Sequence, residues 1–139
     1  MIDELAEDLK LDEGWVPHAY QDHLGYWTIG YGFLIDERKD AELPKSIAEA
    51  WLIHAINERW NQFVALEPWV LDQPEDVQRA LGNMCYQLGV QGLRGFKNTL
   101  RLLREGDRVS AAGNALNSKW ARQTPTRAKR VTDLMRGKP

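Results

Sequence analysis

Glu13, Asp22 and Thr28 carry the chemistry that this chain announces most clearly. Two carboxyl groups and a hydroxyl are enough to add water across a glycosidic bond with inversion. One acid protonates the leaving oxygen, while a carboxylate and a hydroxyl hold a water on the other side of the sugar. Each residue also has a plainer reading. Glu13 can be a solvated carboxylate at a helix end. Asp22 can be a turn residue bonded to its own backbone, and Thr28 a β-branched strand residue.

The surrounding residues say how three such side chains could meet. Ile2, Leu5, Ala6 and Leu9 recur at helical spacing, and Gly14 is a natural stop directly after Glu13. Residues 15–35 read as two or three short strands broken at Gly25, Gly30 and Gly32, with Asp22 and Thr28 on either side of a reversal near Gly25. A hairpin folded back on a helix end would gather all three around one cleft. The charged run from Asp36 to Glu42 reads as a loop. Pro44 opens the next element, and Ser46 with Glu49 three residues on fits a capping box. Ala48, Trp51, Leu52, Ala55, Ile56, Trp60, Phe63 and Val64 then form one apolar stripe on a long helix.

Further helices are expected from Val77 to Leu88 with a stop at Gly89, and from Leu93 to Leu103 with a stop at Gly106. A shorter one covers Arg108 to Leu116, with Trp120 just beyond it, and a last one begins at Thr124-Pro125 and runs to Gly137. The fold class is therefore α+β and mostly helical, with a small antiparallel sheet near the N-terminus.

Three blocks resemble one family. The first is Leu11-Asp12-Glu13-Gly14-Trp15 with Tyr20-Gln21-Asp22 and Gly25 to Gly32. The second is Asn83 to Gly89 followed by Gly95 to Arg101, and the third is Trp120 to Val131. In that order they are similar to the phage-type lysozymes, the T-even bacteriophage endolysin class of glycoside hydrolases. The resemblance implies a single lysozyme domain over residues 1–139. Residues 13–60 would form a sheet-bearing lobe and its connecting helix, and 1–12 with 61–139 a helical lobe.

It also implies a muramidase that cuts the β-1,4 bond between N-acetylmuramic acid and N-acetylglucosamine of peptidoglycan. Glu13 would be the general acid, expected to be partly buried, while Asp22 and Thr28 hold the attacking water. Substrate contacts carried over are Leu34, Tyr86, Gln87, Thr99 and Asn114, and Asp12 and Glu13 are expected near Arg127. Departures are Phe33 where the family's best-known member has a histidine, Leu24 where an acidic cleft residue is expected, and a shorter segment after the hairpin.

Composition frames these expectations. The chain has 139 residues, 43% hydrophobic and 27% charged, as an ordinary globular protein does. Cys85 is the only cysteine, so no internal disulfide can form, and it reads as a small core residue. The net charge of −2 hides a split. Residues 1–93 hold 6 Lys+Arg against 17 Asp+Glu, a balance of −11, and residues 94–139 hold 12 against 3, a balance of +9. Either the halves attract each other, or a basic C-terminal region faces a polyanion such as the cell wall. No signal peptide or membrane span is apparent, so synthesis in a bacterial host cytoplasm and release through a separate pore-forming protein are expected. No cofactor or metal is implied, His18 and His23 being neither spaced nor partnered as ligands. The expected partner is peptidoglycan glycan, bound by a monomer. Two rivals stand: a catalytically inactive glycan-binding protein, and a nucleic-acid binder using residues 94–139, which lack a recognised reading motif.

Overall fold

The computed structural model describes residues 1–35 and 42–137. The loop read over Asp36 to Glu42 therefore lies outside the described residues except for its last member. Elements run in the order α1 (Ile2–Glu13), β1 (Val16–Gln21), β2 (Trp27–Gly30), β3 (Phe33–Leu34) and α2 (Lys45–Leu66). A 3-10 turn follows at Pro68–Asp72. Then come α3 (Glu75–Arg94), α4 (Lys97–Arg104), α5 (Arg108–Leu116), α6 (Lys119–Gln123) and α7 (Pro125–Arg136). The fold is α+β, mostly helical, with one three-stranded antiparallel sheet ordered β1-β2-β3 near the N-terminus. None of the described helices is long and apolar enough to cross a membrane.

Two compact units divide the chain, Met1–Leu52 and Ile53–Pro139, so their boundary falls within α2. The first unit groups α1 with the sheet, whereas the resemblance assigns residues 1–12 to the helical lobe. Acidic Asp3 and Glu4 open α1, Lys10 pairs with Glu7 at 2.8 Å, and Gly14 ends the helix at φ 72°. Its apolar face is nevertheless unburied, with Leu5 and Leu9 both 45% exposed. Within the sheet the register shifts between Val16 and Tyr20. Pro17 lies in that interval, on an edge strand, where a residue without an N–H is tolerated.

The second unit holds the core. Phe63, Leu81, Met84, Leu93, Leu103 and Met135 are fully buried, each removing enough apolar surface to stabilise the fold by about 1.5–3 kcal/mol. Ala111, Ala112 and Ala115 are also fully buried, and their small side chains let α5 lie close against α4 and α7. Cys85 is buried as expected, and that burial pushes its thiol above the ordinary value.

Several expected boundaries shift. Ser46 lies inside α2, and the first helical bonds go to the Pro44 carbonyl from Ile47 and Ala48, so the capping box is not the start. The apolar stripe of α2 is buried only at Phe63, with Trp60 and Val64 packed on the core, while Trp51 is 56% exposed. α3 breaks at Gly89, φ 78° and ψ 168°, as its glycine predicts, yet resumes to Arg94 and takes Leu93 from the following helix. Trp120 belongs to a helix of its own, α6, capped by the Ser118 hydroxyl accepting from the Ala121 N–H.

Arg108 joins three helices. Its Nη2 donates to Asp76 Oδ2 at 2.6 Å and to the Leu134 carbonyl at 3.2 Å, and its Nε donates to the Met135 carbonyl at 2.8 Å. The last two are carbonyls of the final turn of α7, and that of Leu134 also accepts from the Gly137 N–H at 3.1 Å. Hydrogen bonding from Arg108 holds the Asp76 carboxyl below the usual carboxylate range. A depressed folded value adds stability above the unfolded value of about 3.9, and that stability is lost as pH falls through the folded value. Arg108→Gln is therefore expected to lower unfolding stability by about 1–3 kcal/mol in urea titrations at neutral pH. Asp76→Asn should flatten the loss of stability below about pH 4.

Candidate active site

Glycine places Glu13. It is the last residue of α1, and its carboxylate lies against the backbone of Gly32, where a Cβ would collide with Oε2 and Cδ. Gly32 has φ 72° and Gly30 φ 71°, and together they form the turn between β2 and β3. A side chain at position 32 is strained by the backbone conformation, and a Cβ there would push the flexible Glu13 carboxylate aside. The partial burial expected of Glu13 is absent, because α1 contributes no buried residue and the carboxylate is exposed.

Asp22 and Thr28 meet on one atom. The Tyr26 carbonyl accepts from the Asp22 N–H at 2.8 Å and from the Thr28 hydroxyl at 3.3 Å. Asp22 also organises the turn, its Oδ1 accepting from the Leu24 and Tyr26 N–H groups, both at 2.9 Å. Gly25 completes the reversal at φ 86°, donating to the Asp22 carbonyl at 2.9 Å. The Tyr26 N–H first, and the Leu24 N–H after it, hold the Asp22 carboxyl below the usual range. The turn reading of Asp22 is therefore correct for one oxygen. Among the described residues Oδ2 has no hydrogen-bond donor and can accept from a water.

Thr28 is 5% exposed on the central strand, paired with Tyr20 on one side and Leu34 on the other. With its proton given to Tyr26, its oxygen retains lone pairs to accept from the same water. Leu34 stands across from Thr28 and is 48% exposed, which suits an apolar contact with a sugar.

The second unit holds the other expected contacts. Tyr86 is exposed on α3, and the Arg59 guanidinium lies over its ring, 4.8 Å from the centroid. Gln87 Oε1 accepts from the Trp120 indole N–H at 2.9 Å, and Trp120 packs edge-on against Phe96. Thr99 requires correction as a direct contact. It is fully buried, and its hydroxyl donates to Asn114 Oδ1 at 2.6 Å, so it orients Asn114. Exposed Asn114 lines a cavity of about 560 Å³ with Lys97, Asn98, Asn117 and Ser118. Arg127 is anchored on Asn83, its Nε donating to Oδ1 at 2.9 Å. The nearness expected of Asp12 and Glu13 to Arg127 concerns residues of both units and stands as an expectation.

Three participants were not picked out as site residues from sequence. The Tyr26 carbonyl is a backbone atom and leaves no signal. Gly32 left one, the Gly30-Tyr31-Gly32 spacing, read only as a break between strands. Arg59 sits among charged residues of a long helix and looks like any solvated cation.

Glu13 at the end of α1 lies against the β2–β3 turn, Asp22 stands at the β1–β2 reversal and Thr28 on β2, an α+β arrangement of the lysozyme-like kind. Residues 10–137 match the phage lysozyme family, and the chain is a member of it. Among its relatives are two Dictyostelium discoideum proteins. Probable T4-type lysozyme 2 is 29% identical over 96% of this chain and 94% of its own length. Probable T4-type lysozyme 1 is 27% identical over 97% and 95%. The pre-baseplate central spike protein Gp5 of Enterobacteria phage T4 is 29% identical over 94% of this chain, which corresponds to 27% of that larger protein. Membership supports lysozyme-like activity on peptidoglycan.

Gly32→Ala tests the placement of the acid. It is expected to cost about 1–3 kcal/mol in backbone strain and, by displacing Glu13, most of the lysis of cell-wall suspensions. Gly106→Ala provides the control, since Gly106 has φ 86° but open space where the Cβ would stand. That variant should melt earlier and still clear cell walls.

Proposed function

We propose that the protein is a muramidase that hydrolyses the β-1,4 bond between N-acetylmuramic acid and N-acetylglucosamine in peptidoglycan, with inversion at the anomeric carbon. Glu13 donates its proton to the leaving oxygen. Asp22, through Oδ2, and Thr28, through its hydroxyl oxygen, accept hydrogen bonds from one water and aim its lone pair at the anomeric carbon. Asp22 takes up the water's proton as the C–O bond forms. Leu34 supplies an apolar contact, and Tyr86, Gln87 and Asn114 supply ring and amide contacts, with Thr99 behind Asn114.

The observation that carries this reading is the shared acceptor. One carbonyl, that of Tyr26, bonds both the Asp22 backbone and the Thr28 hydroxyl, so the two water-holding groups are held side by side. The depressed Asp22 carboxyl supports the assignment of roles, because it stays ionised while an acid elsewhere carries the proton. Inversion needs room for that water, a gap between the two carboxyls of about 6.5–9.5 Å.

A second reading, a lysozyme-like protein that holds glycan without cleaving it, draws on the exposure of Glu13. Digestion of purified peptidoglycan separates the two. The parent is expected to release new reducing ends that are initially α, the inverted product of a β bond. Glu13→Gln and Asp22→Asn should each lower turnover by about 10²–10⁴-fold. Asp22→Asn keeps a carbonyl oxygen for the Leu24 and Tyr26 N–H groups, so its melting temperature should hold. Thr28→Val should likewise fold and turn over far more slowly. Initial β product would overturn the inverting mechanism, and an inactive parent that still binds glycan would favour the second reading.

A further inference from the structure

Arg59 is held far more firmly than an exposed arginine needs to be. Its Nη1 donates to the Tyr86 carbonyl at 2.6 Å, its guanidinium stacks on the Tyr86 ring, and its own carbonyl accepts from the Cys85 thiol at 3.6 Å. The Tyr86 carbonyl lies in the turn of α3 that precedes the Gly89 break, and Arg59 adds a donor to it there. The result is a guanidinium pinned in one orientation with donors to spare.

Among the described residues no carboxylate pairs with Arg59. It borders instead an open cavity of about 570 Å³ whose walls include the amides of Gln62 and Gln91 and the apolar side chains of Leu66 and Val90. A fixed cation, two amides and a short apolar wall suit a carboxylate carried on a small aliphatic group.

This cavity also lies within a series. Gln91 lines a neighbouring cavity of about 420 Å³ with Arg94 and Lys97, and Lys97 in turn lines the cavity that contains Asn114. Glu67 neutralises Arg94 at 3.3 Å, while Lys97 has no carboxylate partner among the described residues. A run of donors thus leads from Asn114, proposed above as a sugar contact, through Lys97 and Gln91 to Arg59.

We propose that Arg59, fixed by Tyr86, is a carboxylate-recognising subsite for the acidic substituents of the wall glycan. It rests on the muramidase reading and adds the residue that distinguishes an acidic glycan from a neutral one. The carboxylate can come from the lactyl ether of N-acetylmuramic acid or from the amino acids attached to it. Arg59 contributes charge-assisted hydrogen bonds, and Lys97 extends the positive field along the same path.

The test uses the full chain carrying Glu13→Gln, so that binding is read without hydrolysis. Dissociation constants are measured for N-acetylmuramic acid, for N-acetylmuramyl-alanyl-isoglutamine, and for the neutral trimer of N-acetylglucosamine. Adding Arg59→Met is expected to weaken the acidic ligands by about tenfold, the loss of one charge-assisted contact, and to leave the neutral trimer unchanged. Weakening of N-acetylmuramic acid alone assigns the lactyl carboxylate, weakening of the dipeptide alone assigns the amino-acid carboxylate, since its lactyl carboxyl is tied up as an amide, and weakening of both shows that the subsite accepts either. Gln62→Glu supplies an independent arm, placing a negative charge on the cavity wall with the Arg59–Tyr86 stack intact, and should weaken the same ligands selectively. Unchanged binding of the acidic ligands in both variants, or equal weakening of acidic and neutral ligands, would overturn the proposal. If the unmodified chain cleaves nothing while the charge-selective effect persists, the muramidase reading fails and the subsite remains.

Discussion

The candidate site depends on a carboxylate lying in the space that a bare Cα leaves open. Glu13 rests on the backbone of Gly32, and the turn that presents Gly32 requires positive φ at two glycines separated by one residue. Among the described residues no salt bridge or hydrogen bond holds the carboxylate there. Its place follows from three local facts: α1 must stop at Gly14, β1 must begin two residues later, and the β2–β3 turn must offer a bare Cα. Each is a backbone preference that glycine meets at little steric cost. Positioning of this kind leaves the carboxyl oxygens without competing partners, which is what a proton donor to a glycosidic oxygen needs.

The opposite end of the sheet solves a different problem. On the proposed mechanism Asp22 both builds a turn and holds a water, two tasks that usually compete for the same oxygens. Here they are divided, Oδ1 taking two backbone N–H groups and Oδ2 facing no donor among the described residues. The division has an electrostatic consequence. Backbone donors stabilise the charged form, so Asp22 is a weak base, better suited to orienting a water than to deprotonating it early. In the proposed mechanism proton uptake would then accompany bond formation at the anomeric carbon and not precede it, in keeping with the oxocarbenium-like transition state of glycoside hydrolysis.

Much of this was legible in the sequence because it is written in glycine and in period. Gly14, Gly25, Gly89, Gly106 and Gly137 all adopt positive φ at or next to expected stops and turns. The run of residues 15–35 broken at Gly25, Gly30 and Gly32 found the sheet, and α5 runs from Arg108 to Leu116 as the spacing predicts. Side-chain partnerships were not legible. Thr99 looks like a surface hydroxyl until Asn114, fifteen residues on, is seen to close over it. Ser46 and Glu49 have the spacing of a capping box, but the chain enters α2 at Pro44–Lys45, two residues too early for Ser46 to cap it. The stack of Arg59 on Tyr86 needs two helices to meet at a given rotation, which no local pattern encodes.

Three amide side chains of the second unit share one device. Gln87 accepts from the Trp120 indole, Asn114 from the Thr99 hydroxyl and Asn83 from the Arg127 guanidinium, in every case through the amide oxygen. An indole N–H and a guanidinium N–H can only donate, so two of these amides have their orientation dictated by the partner. With the oxygen engaged, the remaining groups are N–H donors. Their acceptors on a peptidoglycan strand would be acetamido carbonyls and sugar oxygens. On the proposed function, a buried Thr99 and a 5%-exposed Trp120 would serve recognition without touching ligand, by turning flexible amides into fixed donors. Such preorganisation lowers the entropy lost when a sugar binds, and it explains why polar groups are kept at the edge of a core that apolar side chains could otherwise fill.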